Sequence, residues 1–570
     1  MQNQTVAHVL AAGLRRHGVS HVFGQSIPVG LLHVTPQYGI RQIAYRAENA
    51  GGIMADGYAR ISGGLGVVCA QNGPAATLLV PPLAEALKAS VPVLAIVEEV
   101  PRGDVERNAF QEFDHIGLFA SCTKWVRRLD RPERADDFLD MAVTAATSGR
   151  PGPVALLVPR DLFGEPSGGL SDRTANLGAF PLDRVVANHA RLAEAADLIA
   201  AAQRPLIVAG GGTHLSGAAN EVVELSALAA IPVATTNMGK GVMDDASPLS
   251  LGVFGSTMGS ASAAAGLRQY AADADVVILV GNRTNENGTD SWRLFPRAAS
   301  FIHIDIDPRE VGRNYEALRL VGDARATLTA LIHALRGRDF SGRAGYREQV
   351  ARDVAAARKV QADRVAALGP GARGAIRPEH IMQVVAAAVG PDDIVAADAS
   401  YSTNWLATYL PSKKIGARFL LPRGLAGLGW GLPLAMGAKV ARPQNRVVAI
   451  VGDGGFGHCW AELEAARRMG LDVTVVVLNN SVLGFQRHGE NAFSGRHSHA
   501  VDLGPVDHAA IARACDCHGE RVETPDELEP ALKRAMSAGR PAVLDVLVDP
   551  SAHPPLTLLE GRRVEGDSLD

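Results

Sequence analysis

Two residues, Asp453 and Asn480, have the types and spacing to do metal–phosphate chemistry. The segment from Val447 to Asn480 opens with an apolar run, turns at Gly452-Asp453-Gly454-Gly455 and continues with a helical pattern. It closes on a second apolar run, Val473 to Leu478, that ends in Asn479-Asn480. That is a strand–turn–helix–strand unit of the parallel α/β kind. Both strands then end on one edge of the sheet, where ligands of such folds bind. One carboxylate and one amide oxygen at that edge, with glycines that let backbone approach, suit a Mg²⁺ that also holds a diphosphate. An ordinary α/β turn would explain Gly452-Asp453-Gly454 alone. It leaves the Asn pair unexplained.

The chain has 570 residues, more than one core normally serves, so two to four domains are expected. With 47% hydrophobic and 20% charged residues the composition is that of a globular protein. A formal net charge of −4 gives no electrostatic case for nucleic acid or an anionic membrane surface. The first residues, Met1 to Gly18, read as an amphipathic helix and not as a signal peptide. Apolar runs such as Val91–Val97 are strand-length and too short to span a bilayer, so a cytoplasmic location is expected. Five cysteines make no disulfide framework, and Cys515-Asp516-Cys517 lacks a second pair to complete a zinc site.

Strand-like runs punctuate three successive blocks. The first holds His21–Gln25, Gly66–Ala70, Val91–Val97 and Pro153–Val158, after a helix over Thr5–His17. The second, beyond a Pro/Gly/Ser-containing link near Gly164–Leu182, holds Arg204–Gly212, Ile231–Thr236, Asp275–Gly281 and Phe301–Asp307. A long helical stretch, Tyr346 to Leu368, leads to the third, with Asp392–Asp398, Arg446–Gly454, Val473–Asn480 and Pro541–Asp549. The fold class expected is α/β, three consecutive doubly wound parallel-sheet domains over residues 1–165, 185–340 and 370–550. The Pro- and charge-rich tail, 551–570, reads as a mobile flap or a disordered end.

The turn at Gly452-Asp453-Gly454 followed by Asn479-Asn480 resembles the diphosphate-binding motif of thiamine diphosphate (ThDP) enzymes. Three α/β blocks with that motif in the last resemble the acetolactate (acetohydroxyacid) synthase and pyruvate oxidase branch, large-subunit type. The resemblance spans nearly the whole chain. It implies ThDP and Mg²⁺ as cofactors, with Asp453, Asn480 and the Val482 carbonyl on the metal and Gly452, Gly454 and Gly455 against the diphosphate. The three blocks become pyrimidine-binding, central and diphosphate-binding domains. Glu48, within Ala44–Arg60, takes the position of the glutamate that hydrogen-bonds the aminopyrimidine and promotes deprotonation of the cofactor's C2. Taken alone, it would be a helix N-terminal carboxylate favoured by the helix dipole. In the family the first and third domains meet across a subunit interface, which implies a homodimer or homotetramer.

Leu428, within Gly424–Ala441, falls where the family places a bulky apolar residue beneath the thiamine; its bland alternative is a core leucine. The segment Glu98–Trp125 resembles one in which an Ala-Phe-Gln-Glu tetrapeptide lines the pocket, so Phe110 and Gln111 are implied to contact the bound intermediate, and Lys124 more weakly. His115 is either an acid/base, since imidazole titrates near neutrality, or a hydrogen-bonded helix residue. In the second block, Ala234–Met243, the glycines of Leu251–Gly259, Gly281–Gly288, His303–Asn314 and Val321–Asp323 fall where flavin-containing synthases contact FAD. Arg283, Asp305 and Asp307 are the most specific of these. Relatives that bind ADP or nothing keep the same strand-end pattern, and Thr284–Asn287 departs from it, so FAD stays open and its role would be structural.

Three departures cluster around one pocket: Gly489 where synthases carry tryptophan, Gln25-Ser26-Ile27-Pro28 where they carry a double glycine, and Leu78 where they carry asparagine. They point to altered substrate chemistry on a retained cofactor machine. The resemblance implies a carboligase that decarboxylates a pyruvate-like 2-oxoacid and adds the enamine to a second carbonyl. The alternatives are a non-ligating 2-oxoacid decarboxylase and a catalytically silent paralogue. A nucleotide-binding module built on the Gly452–Gly454 turn leaves Asn480 and Glu48 unaccounted for.

Overall fold

The computed structural model describes residues 4–569 apart from 170, 171, 370, 372 and 373. Part of each interdomain link, including the expected start of the third block at Pro370, lies outside the described residues. The strands form three sheets of six, with every pairing parallel. The first sheet holds β1 (His21–Phe23), β2 (Arg41–Ile43), β3 (Gly66–Ala70), β4 (Val93–Glu99), β5 (Trp125–Arg128) and β6 (Val154–Pro159), in the order β2-β1-β3-β4-β6-β5. The second holds β7 (Pro205–Ala209), β8 (Val233–Thr235), β9 (Ser250–Val253), β10 (Val276–Val280), β11 (Ser300–Asp305) and β12 (Leu318–Val321), in the order β12-β11-β10-β7-β8-β9. In the last region β13 (Ile394–Ala397), β14 (Phe419–Leu420), β15 (Val447–Gly452) and β16 (Thr474–Asn479) precede β17 (Arg496–Ser498), β18 (His518–Val522), β19 (Ala542–Leu547) and β20 (Asp567–Leu569). Six of these make the third sheet, in the order β14-β13-β15-β16-β19-β18. Its order is that of the first sheet; the second is wound differently.

Parallel strands need crossover helices, and helices on both faces bury the inner strands, which is why those strands are continuous apolar runs. The first and third sheets share one hydrophobic core, in which Met54 and Tyr58 pack with Leu434 and Met436. Helices Glu48–Ser62 and Gly431–Ala441 cross there at glycine contacts. A Cβ on Gly57 would lie 2.5 Å from the Leu434 carbonyl oxygen, and one on Gly437 2.0 Å from that of Met54. Only glycine permits that approach.

The tail corrects the sequence expectation, since it is packed and not a flap. Leu556 and Leu559 are buried, Pro555 O accepts from Gly259 N at 3.1 Å, and Thr557 Oγ1 donates to Asp290 at 2.6 Å. Beyond them β20 pairs with β17. Pro and charge made this stretch look solvated, but its spaced leucines join the third domain's core while Pro555 and Thr557 bond second-domain loops. Among the described residues no helix is long and apolar enough to cross a membrane.

Candidate active site

Strand β15 delivers Asp453 to the carboxyl edge of the third sheet, and β16 delivers Asn480 beside it. Asp453 accepts a hydrogen bond from Ser481 N at 2.7 Å, and Asn480 Oδ1 accepts from Val482 N at 3.2 Å. Ser481 turns the chain there with φ of 56°. The side chains of the Asn pair divide by alternation. Asn479 points inward and donates to Asp545 at 2.7 Å, a structural bond, while Asn480 faces the cavity. Burial pushes the Asp453 carboxyl up to about 6, against the pull of the Ser481 and Gly454 N–H groups.

The cavity at this edge has about 580 Å³ of open space and is lined by Leu428, Gly452, Asp453, Gly454, Gly455, Asn480 and Val482 among others. The third-domain residues expected to hold the cofactor and metal therefore line one cavity, whereas Gly489 does not. Two of its glycines are crowded: a Cβ on Gly455 would stand 1.9 Å from Asp398 Oδ2, and one on Gly454 2.5 Å from the Leu483 side chain, whereas one on Gly452 would meet only Ser402 Oγ at 3.7 Å. Sequence reasoning missed Asp398, Tyr401 and Ser402, which also line the cavity. Asp398 is buried and accepts from the N–H groups of Ala399, Gly429 and Trp430 at 2.9–3.0 Å, fixing the loop that carries Leu428. Its signal was available, as an acid ending an apolar strand run.

The first-sheet residues lie elsewhere. Glu48 is the first residue of helix Glu48–Ser62, half-buried, and does not line the third-sheet cavity. Phe110 is 82% exposed, and Gln111 accepts from Gln71 Nε2 at 2.8 Å. Phe110 borders a separate cavity with Asn72, Glu98 and Arg160. Glu98, another residue missed from sequence, is buried there, and burial pushes its carboxyl up. His115 is the hydrogen-bonded alternative: Gly73 N donates to its Nε2 at 2.9 Å, so Nδ1 carries the proton and bonds Glu99 at 2.6 Å. Lys124 is spent on the Ala145 and Ser148 carbonyls. One chain therefore does not bring Glu48, Phe110 or Gln111 to Asp453.

Gly489 sits in helix Gly484–Ser494, outside the cavity lining, and a Cβ on it would meet nothing within 4 Å. Phe485 does line the cavity. His488 is buried, bonds Tyr401 Oη at 3.0 Å and is pushed down to about 4 by burial.

A further cavity, with about 1060 Å³ of open space, lies at the carboxyl ends of the second-sheet strands. Gly210, Thr236, Arg283, Asp305 and Glu310 line it, with Arg150 from the first domain and Arg423 from the third. Burial pushes Asp305 up to about 6. Asp307 instead pairs with Arg150 and Arg309, at 3.3 and 3.2 Å, and the glycines of Leu251–Gly259 stay outside the lining.

Residues 4–118 match the family model for the thiamine pyrophosphate enzyme N-terminal TPP binding domain, 192–331 that for the central domain and 398–546 that for the C-terminal TPP binding domain. The chain is 32% identical to a probable acetolactate synthase large subunit of Methanocaldococcus jannaschii, over 98% of this chain and 94% of that one. It is 33% identical to an acetolactate synthase of Mycobacterium bovis, over 97% and 89% of the two chains. A third relative, an acetolactate synthase large subunit of Parasynechococcus marenigrum, is 33% identical over 95% and 87%.

Proposed function

The chain belongs to the thiamine pyrophosphate enzymes, among relatives named acetolactate synthase, and from that premise we propose a ThDP- and Mg²⁺-dependent carboligase. Its donor is a pyruvate-like 2-oxoacid, which loses CO₂, and the remaining fragment is added to a second carbonyl compound. ThDP, when bound, supplies the nucleophilic carbon and electron sink for that chemistry. The observation that carries the reading is the cavity joining Asp453, Asn480, Val482 and Leu428 beside a turn whose Gly455 leaves no room for a Cβ against Asp398.

The residues present fit the group. Mg²⁺ favours oxygen ligands and keeps a substrate phosphate, which one carboxylate, one amide oxygen and the Val482 carbonyl can accommodate. Gly452, Gly454 and Gly455 let the diphosphate approach backbone, and Ser402 adds a hydroxyl at the same edge. Leu428 supports the rings. Glu48 moves a proton at the aminopyrimidine, and Phe110 and Gln111 touch the substrate. Because these three stand apart from Asp453 in one chain, each site is assembled from two copies, as a homodimer or a pair of them. The exposed Phe110, Phe113 and Ile116 suit burial by that second copy.

The central cavity fits a dinucleotide such as FAD in a structural role. In support, Arg283 and Arg423 line it with no carboxylate at ion-pairing distance among the described residues. The absorbance spectrum of the purified protein tests this part. Incubation with pyruvate, with and without aldehyde acceptors, tests the carboligase. A 2-hydroxyketone or acetohydroxyacid is expected; free aldehyde as sole product in both cases identifies a non-ligating decarboxylase.

A further inference from the structure

We infer that Glu85 and Glu462 are a reciprocal pair of positioning residues, each reaching from one ThDP-binding domain to hold the backbone that presents a catalytic side chain of the other. Glu85, fully buried in helix Val80–Ala89 of the first domain, accepts from three successive third-domain N–H groups. These are Gly424 N at 2.7 Å, Leu425 N at 2.5 Å and Ala426 N at 3.3 Å. The loop they begin carries Leu428, and its far end is held by Asp398 through Gly429 and Trp430. Glu462 opens helix Glu462–Met469 of the third domain and is 1% exposed. It accepts from Arg46 N at 3.1 Å and Ala47 N at 2.9 Å, the two residues before Glu48.

The two contacts are related by the shared strand order. Helix Val80–Ala89 follows β3 as Glu462–Met469 follows β15, each third in its sheet's order. The segments they hold each lead into a helix, Glu48–Ser62 or Gly431–Ala441, and those helices cross at the joint core. Ala47 offers no capping side chain, and Glu462 of the other domain takes the N–H of that N-cap residue while Asn49 accepts from Ala50 N. A carboxylate receiving several N–H groups is among the stronger hydrogen-bonding arrangements. Ala426 is kept at φ of 63°, a conformation that an alanine adopts only under constraint. Simple satisfaction of buried N–H groups needs any acceptor. What it does not require is the same device twice, on the two segments adjoining Glu48 and Leu428.

The inference rests on the proposed roles of Glu48 and Leu428, so variants of all four residues are compared. In the unliganded protein, Glu462→Gln should speed amide hydrogen exchange at Arg46 and Ala47, and Glu85→Gln at Gly424 to Ala426. In the ThDP- and Mg²⁺-loaded enzyme, C2 hydrogen–deuterium exchange per bound cofactor should slow by roughly ten- to a hundredfold in each, the scale of a displaced catalytic group, with KM for pyruvate little changed. If Glu48→Gln and Leu428→Ala slow C2 exchange while Glu85→Gln and Glu462→Gln do not, the clamps are structural only and the inference is overturned. If Glu48→Gln and Leu428→Ala themselves leave C2 exchange at the wild-type rate, the site reading fails and the inference with it. Should the Gln variants not fold, Glu85→Asp and Glu462→Asp keep the charge, shorten the reach and carry the same expectation.

Discussion

The first and third sheets share a strand order, yet their carboxyl edges do opposite work. The third-sheet edge is built within one chain: Asp453, Asn480, Val482 and Leu428 converge on one cavity, and a Cβ at Gly455 of its turn would clash with Asp398. The first-sheet edge is left open. Glu48 is half-buried at a helix start, Phe110 is 82% exposed, and Leu78 and Val29 are exposed beside a sheet whose interior is fully packed. On the proposed function, one scaffold supports two half-sites: a preorganised anion and metal cradle, and a face that a second copy completes. The second sheet, wound in another order, carries its own cavity and does neither.

The largest expected effects separate the two edges by kind. Asp453→Ala should abolish ThDP retention, read by calorimetry with Mg²⁺ present. Glu48→Gln should leave ThDP bound but slow C2 hydrogen–deuterium exchange by about 10²–10⁴, the range for loss of a proton-transfer group. Unchanged ThDP affinity in the first variant, or wild-type exchange in the second, would erase the division of labour between the edges.

Mixing the same two inactive chains sharpens the comparison. If each site takes Glu48 from one copy and Asp453 from the other, a hybrid dimer of Glu48→Gln and Asp453→Ala chains has one site with both residues intact. Random pairing makes half the dimers hybrid, with one working site in two, so co-expression should restore roughly a quarter of wild-type activity. No recovery, with dimers demonstrably mixed, would place both residues of each site in one chain.

What was legible in the sequence follows the same physical divide. The runs read as strands, from His21–Gln25 to Pro541–Asp549, are the inner strands of the three sheets. Every strand of those sheets left unread, β2, β5, β9, β12, β14 and β18, lies at a sheet edge. Inner strands are buried on both faces and read as apolar runs, whereas edge strands are short and tolerate charge. Arg41-Gln42-Ile43 and Trp125-Val126-Arg127-Arg128 show it. At the site, Asp453 and Asn480 were legible because one local unit spaces them. Glu85 and Glu462 were not, because their partners lie 339 or more positions away along the chain; Asp398 showed only its place at the end of an apolar run, since its loop partners Gly429 and Trp430 lie 31 and 32 positions on.

A smaller effect concerns protons at the third-sheet edge. Burial raises the Asp453 carboxyl to about 6 from an ordinary value of 3.8. Mg²⁺ needs the ionised form, so metal affinity should be full above about pH 7 and fall roughly tenfold per unit below about 6, with one proton released per ion bound. For the unliganded protein the sign is reversed. A raised carboxyl contributes stability that is complete below about 4 and lost as pH rises through about 6. Titration calorimetry in buffers of different ionisation enthalpy counts the proton; metal affinity flat from pH 5 to 8 would mean that Asp453 is not a ligand.

The smallest effect is expected at Gly489, where the two edges should meet. The residue is interior to helix Gly484–Ser494, and a Cβ there meets nothing within 4 Å, so Gly489→Ala should stabilise the protein by about 0.5–1 kcal/mol through helix propensity alone. Gly489→Trp adds a large side chain whose Cβ starts in open space. If the partner's first domain, with Phe110 and Gln111, closes over this helix, the indole fills part of the acceptor pocket. Acceptor range should then narrow, with losses greatest for the longest substrate and least for pyruvate. One extra or missing methylene in an apolar pocket discriminates by only about 1–3 kcal/mol, so the change belongs in acceptor ratios more than in total rate. Competition between 2-oxobutyrate and pyruvate reads it directly. Wild type should show little preference for 2-oxobutyrate; strong preference in wild type, unmoved by Gly489→Trp, would put the helix outside the pocket and leave the acceptor to be bounded by Phe485 and the first-sheet edge.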